Sequence, residues 1–469
     1  MRNSKIEFHG AARCVTGSKH IVESKNGIRI LLDCGMFQGH GKETDELNRN
    51  WGFDPASLNA MVLSHAHIDH SGLLPRLVKH GFNGPIYCTA GTRDLLEIML
   101  YDSADIQESD IKFINKKRAK QGKPSLKPLY TTQDVEAVLE LVQVIEYNQS
   151  TNIFQGIDLQ LQDAGHMIGS ASVHLDMTYQ DTRTRVTFSG DVGQYDNPIL
   201  RAPQAFPESD YLILESTYGD SLHDEEDNTE ELLLANIIYT CLEKQGKLII
   251  PAFSVGRTQE ILQALNNLEL EKKLPPLKYY VDSPLSTEAT AVIKKHRHYY
   301  NEVMQKILAV DKDPFGFKGL HYIKDSDESK ALNAMPEPCV IISSSGMADA
   351  GRVKHHILNN IENSKNTILF VGHCEPQSLG GQLLNGNPQV RIFGDMYKVH
   401  ADIERIKSMS AHGDAKDLLN FVSSSNIYSL KKVFLVHGEM EPMMKLRESL
   451  LRIGVKDVEI PDLHSEWLI

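Results

Sequence analysis

The chain of 469 residues carries 49 Lys and Arg against 62 Asp and Glu, a net charge of −13, with 41% hydrophobic and 24% charged residues. This is the composition of a soluble globular protein with more than one core. It excludes a protein that coats nucleic acid by bulk charge, though not one with a local basic groove, and no apolar run reaches the ~18 residues of a membrane span.

The N-terminus runs into a strand-like piece, not an apolar signal core. Six Cys are scattered without a CxxC pair, which predicts free thiols in a reducing cytoplasm. Residues 28–32 read as a strand that ends at Asp33-Cys34-Gly35. A carboxylate there can orient a ligand, and the alternative is an ordinary Asx turn. Residues 60–63 are a second apolar strand, followed by Ser64-His65-Ala66-His67-Ile68-Asp69-His70 and then by helically spaced Leu73, Leu74, Leu77 and Val78. Three imidazoles and a carboxylate thus share one strand-to-helix loop. Imidazole with carboxylate suits zinc, with Mn²⁺ or Fe²⁺ as weaker candidates, and four such residues exceed one open tetrahedral site, so two metals are expected.

A strand at 84–89 leads into a helix from about Thr92. Residues 111–128 hold Lys112, Lys116, Lys117, Arg118, Lys120, Lys123 and Lys127 and no acid. They are either an anion-binding patch, with Lys116, Lys117 and Arg118 on an RNA backbone, or a solvated surface. His166 stands between Gly165 and Gly169, where small neighbours let backbone approach closely. Strand-like residues 184–189 end at Asp191, able to bridge two metals, and residues 211–214 end at Glu215.

Residues 220–231 are acidic, and beyond them strands and helices alternate, which predicts a second domain with a parallel sheet. Two of its strands enter small-residue loops, one with Ser254 and Arg257, the other with Ser344, Ser345 and Gly346. Backbone N–H groups at such helix starts bind phosphate. The chain closes on Ser410-Ala411-His412-Gly413-Asp414, where His412 is a candidate proton donor. A strand then ends at His437, a candidate distal ligand.

HxHxDH, AGHxxGSA, SGD, ESTYG, SAHGD and LVHGE, in that order, resemble the β-CASP branch of the metallo-β-lactamase superfamily over nearly the whole chain. The resemblance implies an α/β fold. It is an αββα sandwich from residues 1–210 and 400–469, with a β-CASP domain inserted at 211–399 and the active site in the crevice between them. By the same resemblance, His65, His67 and His166 hold one zinc, Asp69, His70 and His437 the other, and Asp191 bridges. Mn²⁺ is a substitute for either zinc. Asp33, Asp69, Glu215 and His412 are the expected catalytic group, Glu215 orienting His412. The expected activity is a cytoplasmic ribonuclease for single-stranded RNA that leaves 5′-phosphate and 3′-hydroxyl. RNA is the expected partner, with a homodimer admitted and no membrane. The rivals are a small-molecule metallo-hydrolase, a DNA nuclease of the same branch, and a non-catalytic scaffold; His437 weighs for RNA over DNA.

Overall fold

The computed structural model describes residues 3–39, 41–223, 228–372, 374–406 and 409–469. Part of the acidic stretch, residues 224–227, lies outside them. The chain divides into two compact units, Met1–Leu222 with His412–Ile469, and His223–Ala411.

The first unit holds two seven-stranded sheets. In one, the chain's last strand, Ser465–Leu468, pairs antiparallel with its first, Lys5–Phe8. That sheet continues through His20–Glu23, Arg29–Leu32, Ala60–Val62, Ile86–Cys88 and Val142–Val144. The other centres on Tyr211–Glu215, which runs parallel to both Thr182–Phe188 and Lys432–Val436. Alternation decides the faces. Ile213, Phe434 and Val436 point inward and pack with Phe8, Val22, Ile30, Leu32, Val173 and Phe188 between the sheets. Leu212, Leu214, Val433 and Leu435 point outward, against Leu418 and Phe421 of the helix Ala415–Ser423 and Met443 and Leu446 of the helix Met440–Arg452. Helix, sheet, sheet, helix is the expected sandwich, and it is built from both ends of the chain.

The second unit is a six-stranded sheet whose ladders are all parallel, in the order Leu320–Tyr322, Lys278–Val281, Cys339–Ser343, Lys247–Pro251, Thr367–Val371, Asp402–Ile406. Its central strands are near-continuous apolar runs, as strands covered on both faces must be; Ile249, Ile341, Ile368 and Phe370 fill its core with Val353 and Ile357.

One helix boundary departs from the periodicity. The helix expected from about Thr92 begins at Ala90, because the Thr89 side chain accepts from the Thr92 N–H and caps it. That helix runs to Lys120, so the basic stretch is its exposed end followed by a loop. Among the described residues no helix is long and apolar enough to cross a membrane.

Candidate metal centre

The ligand loop is built by its neighbours. The carbonyls of Ile68, Asp69 and His70 accept from the N–H groups of Met36, Ser18 and Cys34 at 2.9, 2.9 and 2.7 Å. Gly35 makes this possible, since a Cβ there would lie 1.6 Å from the Asp69 carbonyl oxygen. Lys19, which carries no sequence signal, pins the two supporting turns together. Its buried ammonium donates to the carbonyls of Gly17 and Gly35, both at 2.9 Å, and sits 4.2 Å over the Phe37 ring.

Asp33 is fully buried. It accepts from the backbone N–H and hydroxyl of Ser64, both at 2.8 Å, and pairs with His70 Nδ1 at 2.6 Å. Its contact with the His70 ring leaves Nε2 of that ring to face the centre. Ser64 also meets His65 Nδ1 at 3.0 Å, and Thr217 meets His437 Nδ1 at 3.0 Å. Ser64 stands next to a candidate ligand and Thr217 within the ESTYG motif, but neither position by itself says which imidazole its hydroxyl meets.

Four side chains converge first. His65 Nε2 and His166 Nε2 each lie 3.1 Å from His67 Nδ1, and 3.4 and 3.5 Å from Asp191 Oδ2. A second group stands beside them. His437 Nε2 is 3.1 Å from His70 Nε2 and 3.3 Å from Asp69 Oδ2, while His70 Nε2 is 3.2 Å from Asp191 Oδ1. Within each group the ligand atoms lie within 4.8 Å of one another. Asp191 therefore turns one oxygen to each group. Its Oδ1 is buried and accepts no hydrogen bond, the kind of orphan that calls for a further partner.

The electrostatics suit a cation. Burial, then the charge of His70, pushes His65 down to about 3, and burial takes His67 to about 4 and His166 well below the imidazole range. These rings are held neutral, the form that ligates. Burial opposes a charge on His70, but Asp191, Asp33 and Asp69 outweigh it and hold that ring well above its usual range. Two buried carboxylates and the half-buried Asp69 thus favour positive charge at one point.

Next to this cluster His412 Nδ1 lies 3.1 Å from Glu215 Oε1 and 3.9 Å from Asp191 Oδ2. Glu215 is itself fixed by the Val192 N–H at 2.7 Å. Burial works against a charge on His412, yet Glu215 and Asp191 prevail and its pKa is pushed up to about 9.

Residues 19–281 match the model of the metallo-beta-lactamase superfamily. The chain belongs to that superfamily. Within it, residues 258–383 match the Beta-Casp domain and 396–461 the Zn-dependent metallo-hydrolase RNA specificity domain. The chain is 34% identical to a ribonuclease of Thermus thermophilus over 96% of each protein. It is 30% identical to an RNase J-like protein of Methanocaldococcus jannaschii, over 92% of each. It is 29% identical to the transcription termination factor FttA of the same organism, over 97% of this chain and 70% of that one. A crystal structure of a protein of unknown function from Enterococcus faecalis covers the whole of both chains with a TM-score of 0.54 at 13% identity, a likeness of fold. Membership in a metallo-β-lactamase family implies divalent metal, and the donors here fit one: neutral imidazoles, carboxylates, and an orphaned carboxylate oxygen between two groups.

The β-CASP unit gathers three hydroxyls at the carboxyl ends of three adjacent parallel strands. Ser283 Oγ lies 3.0 Å from Ser344 Oγ and 3.3 Å from Ser254 Oγ. Ser283 has no motif of its own in the sequence. Arg257 points elsewhere: its guanidinium is buried and ion-paired with Glu260, one helical turn on, so it is not a free phosphate ligand. Gly346 lies against the Phe253 ring. Of the basic patch, Lys116 and Lys117 are exposed, Lys117 over the Phe113 ring at 4.4 Å. Arg118 is half-buried and donates to the Pro124 carbonyl at 2.7 Å.

Proposed function

We propose that this chain is a zinc-dependent ribonuclease that hydrolyses phosphodiester bonds of single-stranded RNA, leaving 5′-phosphate and 3′-hydroxyl ends. The observation that carries this reading is Asp191 with one oxygen toward each of two ligand groups, and the His412–Glu215 pair beside it. An RNA specificity domain at 396–461 and relatives named as ribonucleases support RNA as the substrate.

In this reading His65, His67, His166 and Asp191 hold one zinc, and Asp69, His70, His437 and Asp191 the other, with manganese as a substitute. Two such ions, when bound, polarise a phosphoryl oxygen and lower the pKa of water. Asp33 keeps the His70 ring oriented. Water oxygen, releasing one proton to solvent, bonds to phosphorus as the bond to the 3′-oxygen breaks; His412 gives that oxygen its proton while Glu215 holds the imidazole, and His412 regains a proton from solvent. Ser254, Ser344, Ser345 and Gly346 take phosphates of the strand in the β-CASP domain; the insertion expected at 211–399 between 1–210 and 400–469 is kept, with its edges moved to 223 and 411, because strand Tyr211–Glu215 pairs within the sandwich and strand Asp402–Ile406 within the inserted sheet. A cytoplasmic location and a homodimer complete the proposal.

The test is kcat/KM on matched RNA and DNA oligonucleotides, with His65→Ala/His67→Ala as contamination control. RNA is expected to be cut faster than DNA, duplex RNA or a β-lactam. Equal cleavage of DNA, or RNA cleavage that survives in the control, would overturn the assignment. Charge reversal of Lys116, Lys117 and Arg118 is expected to weaken RNA binding and to flatten the log–log salt dependence by ~0.7 for each phosphate these side chains no longer neutralise. Lys116 and Lys117 should carry most of that effect, since Arg118 is engaged with Pro124. Unchanged affinity and slope would leave a solvated surface.

A further inference from the structure

A cavity in the sandwich unit has the make-up of a nucleotide site. It has a volume of about 400 Å³, is open on one side, and is lined by Arg49, Arg76, Lys79, His80, Lys127, Pro128, Leu129 and Thr131. That volume falls in the ~300–1,000 Å³ range of small-ligand sites. Pro128, Leu129 and the carbon stems of the long cationic side chains give an apolar wall.

The charge at that rim is only partly neutralised. Arg49 pairs with Asp45 and Lys79 with Asp134, both at 2.8 Å. Arg76 and Lys127 have no carboxylate partner among the described residues. The side chain of Arg76 is held firmly: only 6% of the residue is exposed, and its guanidinium donates to the carbonyls of Asn48 and Arg49 at 2.7 and 2.6 Å. Its planar face lies 4.7 Å from the Trp51 ring, and Trp51 Nε1 donates to His80 Nδ1 at 3.2 Å. Lys127, at the cavity mouth, ends the acid-free basic run. A buried guanidinium in fixed position, with a second lining cation that has no carboxylate partner, favours an anion. The apolar wall favours a flat base.

We propose that this cavity binds one nucleotide unit of an RNA strand, the base against Pro128 and Leu129 and the phosphate at Arg76 and Lys127. That the nucleotide belongs to RNA rests on the ribonuclease reading; that the cavity takes a nucleotide does not.

The chain has two tryptophans, so a Trp467→Phe protein reports from Trp51 alone. Adenosine 5′-monophosphate has no phosphodiester bond to cut, and titrating it should give a saturable change in Trp51 emission. Inorganic phosphate should act more weakly and adenosine more weakly still. Adding Lys79→Gln/Lys127→Glu, at two exposed positions away from the metal ligands, should weaken the response about tenfold. No saturable change, an equal response to adenosine and to the monophosphate, or an undiminished response in the double variant would each overturn the proposal. RNA hydrolysis measured in parallel keeps the two readings apart. Cleavage without a Trp51 response removes the cavity alone, and a response without cleavage supports the cavity while removing the ribonuclease reading.

Discussion

His412→Ala is expected to retain the metal content of the parent protein while kcat on single-stranded RNA falls by ~10²–10⁴-fold. The imidazole stands 3.1 Å from Glu215 and is the most solvent-accessible ring of the cluster whose pKa lies above neutrality. A ring drawn toward its charged form and fixed by the Glu215 carboxylate is equipped to donate a proton. His437 differs: it is buried, its Nε2 lies 3.1 Å from His70 and 3.3 Å from Asp69, and its other nitrogen is engaged by Thr217. His437→Ala should therefore lose metal. The ligand atoms of His412, Glu215 and Asp191 also lie within 4.8 Å of one another, so the opposite assignment has a geometric basis. Elemental analysis of both variants decides: metal lost from His412→Ala and kept in His437→Ala would exchange their roles.

Asp191→Asn is expected to be the most damaging single change. The parent protein, purified without chelator or added metal, should hold about two zinc ions per chain. The variant should hold less than one and turn over RNA at least about 10³-fold more slowly, a loss of about 4 kcal/mol of transition-state stabilisation. Asp191 offers a separate oxygen to each ligand group, and its negative charge offsets the crowding of imidazoles around it. An amide keeps the shape, removes the charge and turns one acceptor into a donor aimed at ligand atoms. Thermal unfolding followed by circular dichroism checks that the fold remains. A parent protein that is folded yet reproducibly near zero in metal would end the two-zinc proposal, and a variant that keeps both ions would remove Asp191 as the bridge.

What was legible in the chain was local. Residues 64–70 announce a candidate ligand loop because four candidate ligands fall within six positions, and a strand before it with a helix after it leaves the loop one way to turn. Asp33 follows and Glu215 ends an apolar strand, Asp191 follows a mixed one, and the parallel strands before Asp191 and Glu215 deliver their carboxyl ends to one edge of their sheet. Order along the chain, taken with the family resemblance, even named His437, 367 positions from its neighbour His70. The parallel sheet of the second unit followed from alternating strands and helices, since the period of apolar residues reports which faces are covered. The sandwich followed from the resemblance.

Only the tertiary structure decided where side chains point. Arg257 looked like a phosphate ligand at a helix start, but Glu260 one turn away captures its guanidinium, and sequence spacing does not say whether such a pair will form. Lys19 has no motif in the sequence, and two glycine carbonyls and an aromatic ring take its ammonium into the interior. Thr217, Ser64 and Ser283 became partners because the packing of separate strands brought one hydroxyl against one acceptor. The cavity around Arg76 joins a helix, a loop and the end of the basic run. Chain order determines which chemistry is present and where strands end; packing sets rotamers, pairings and cavities, because those depend on contacts between segments with no common local pattern.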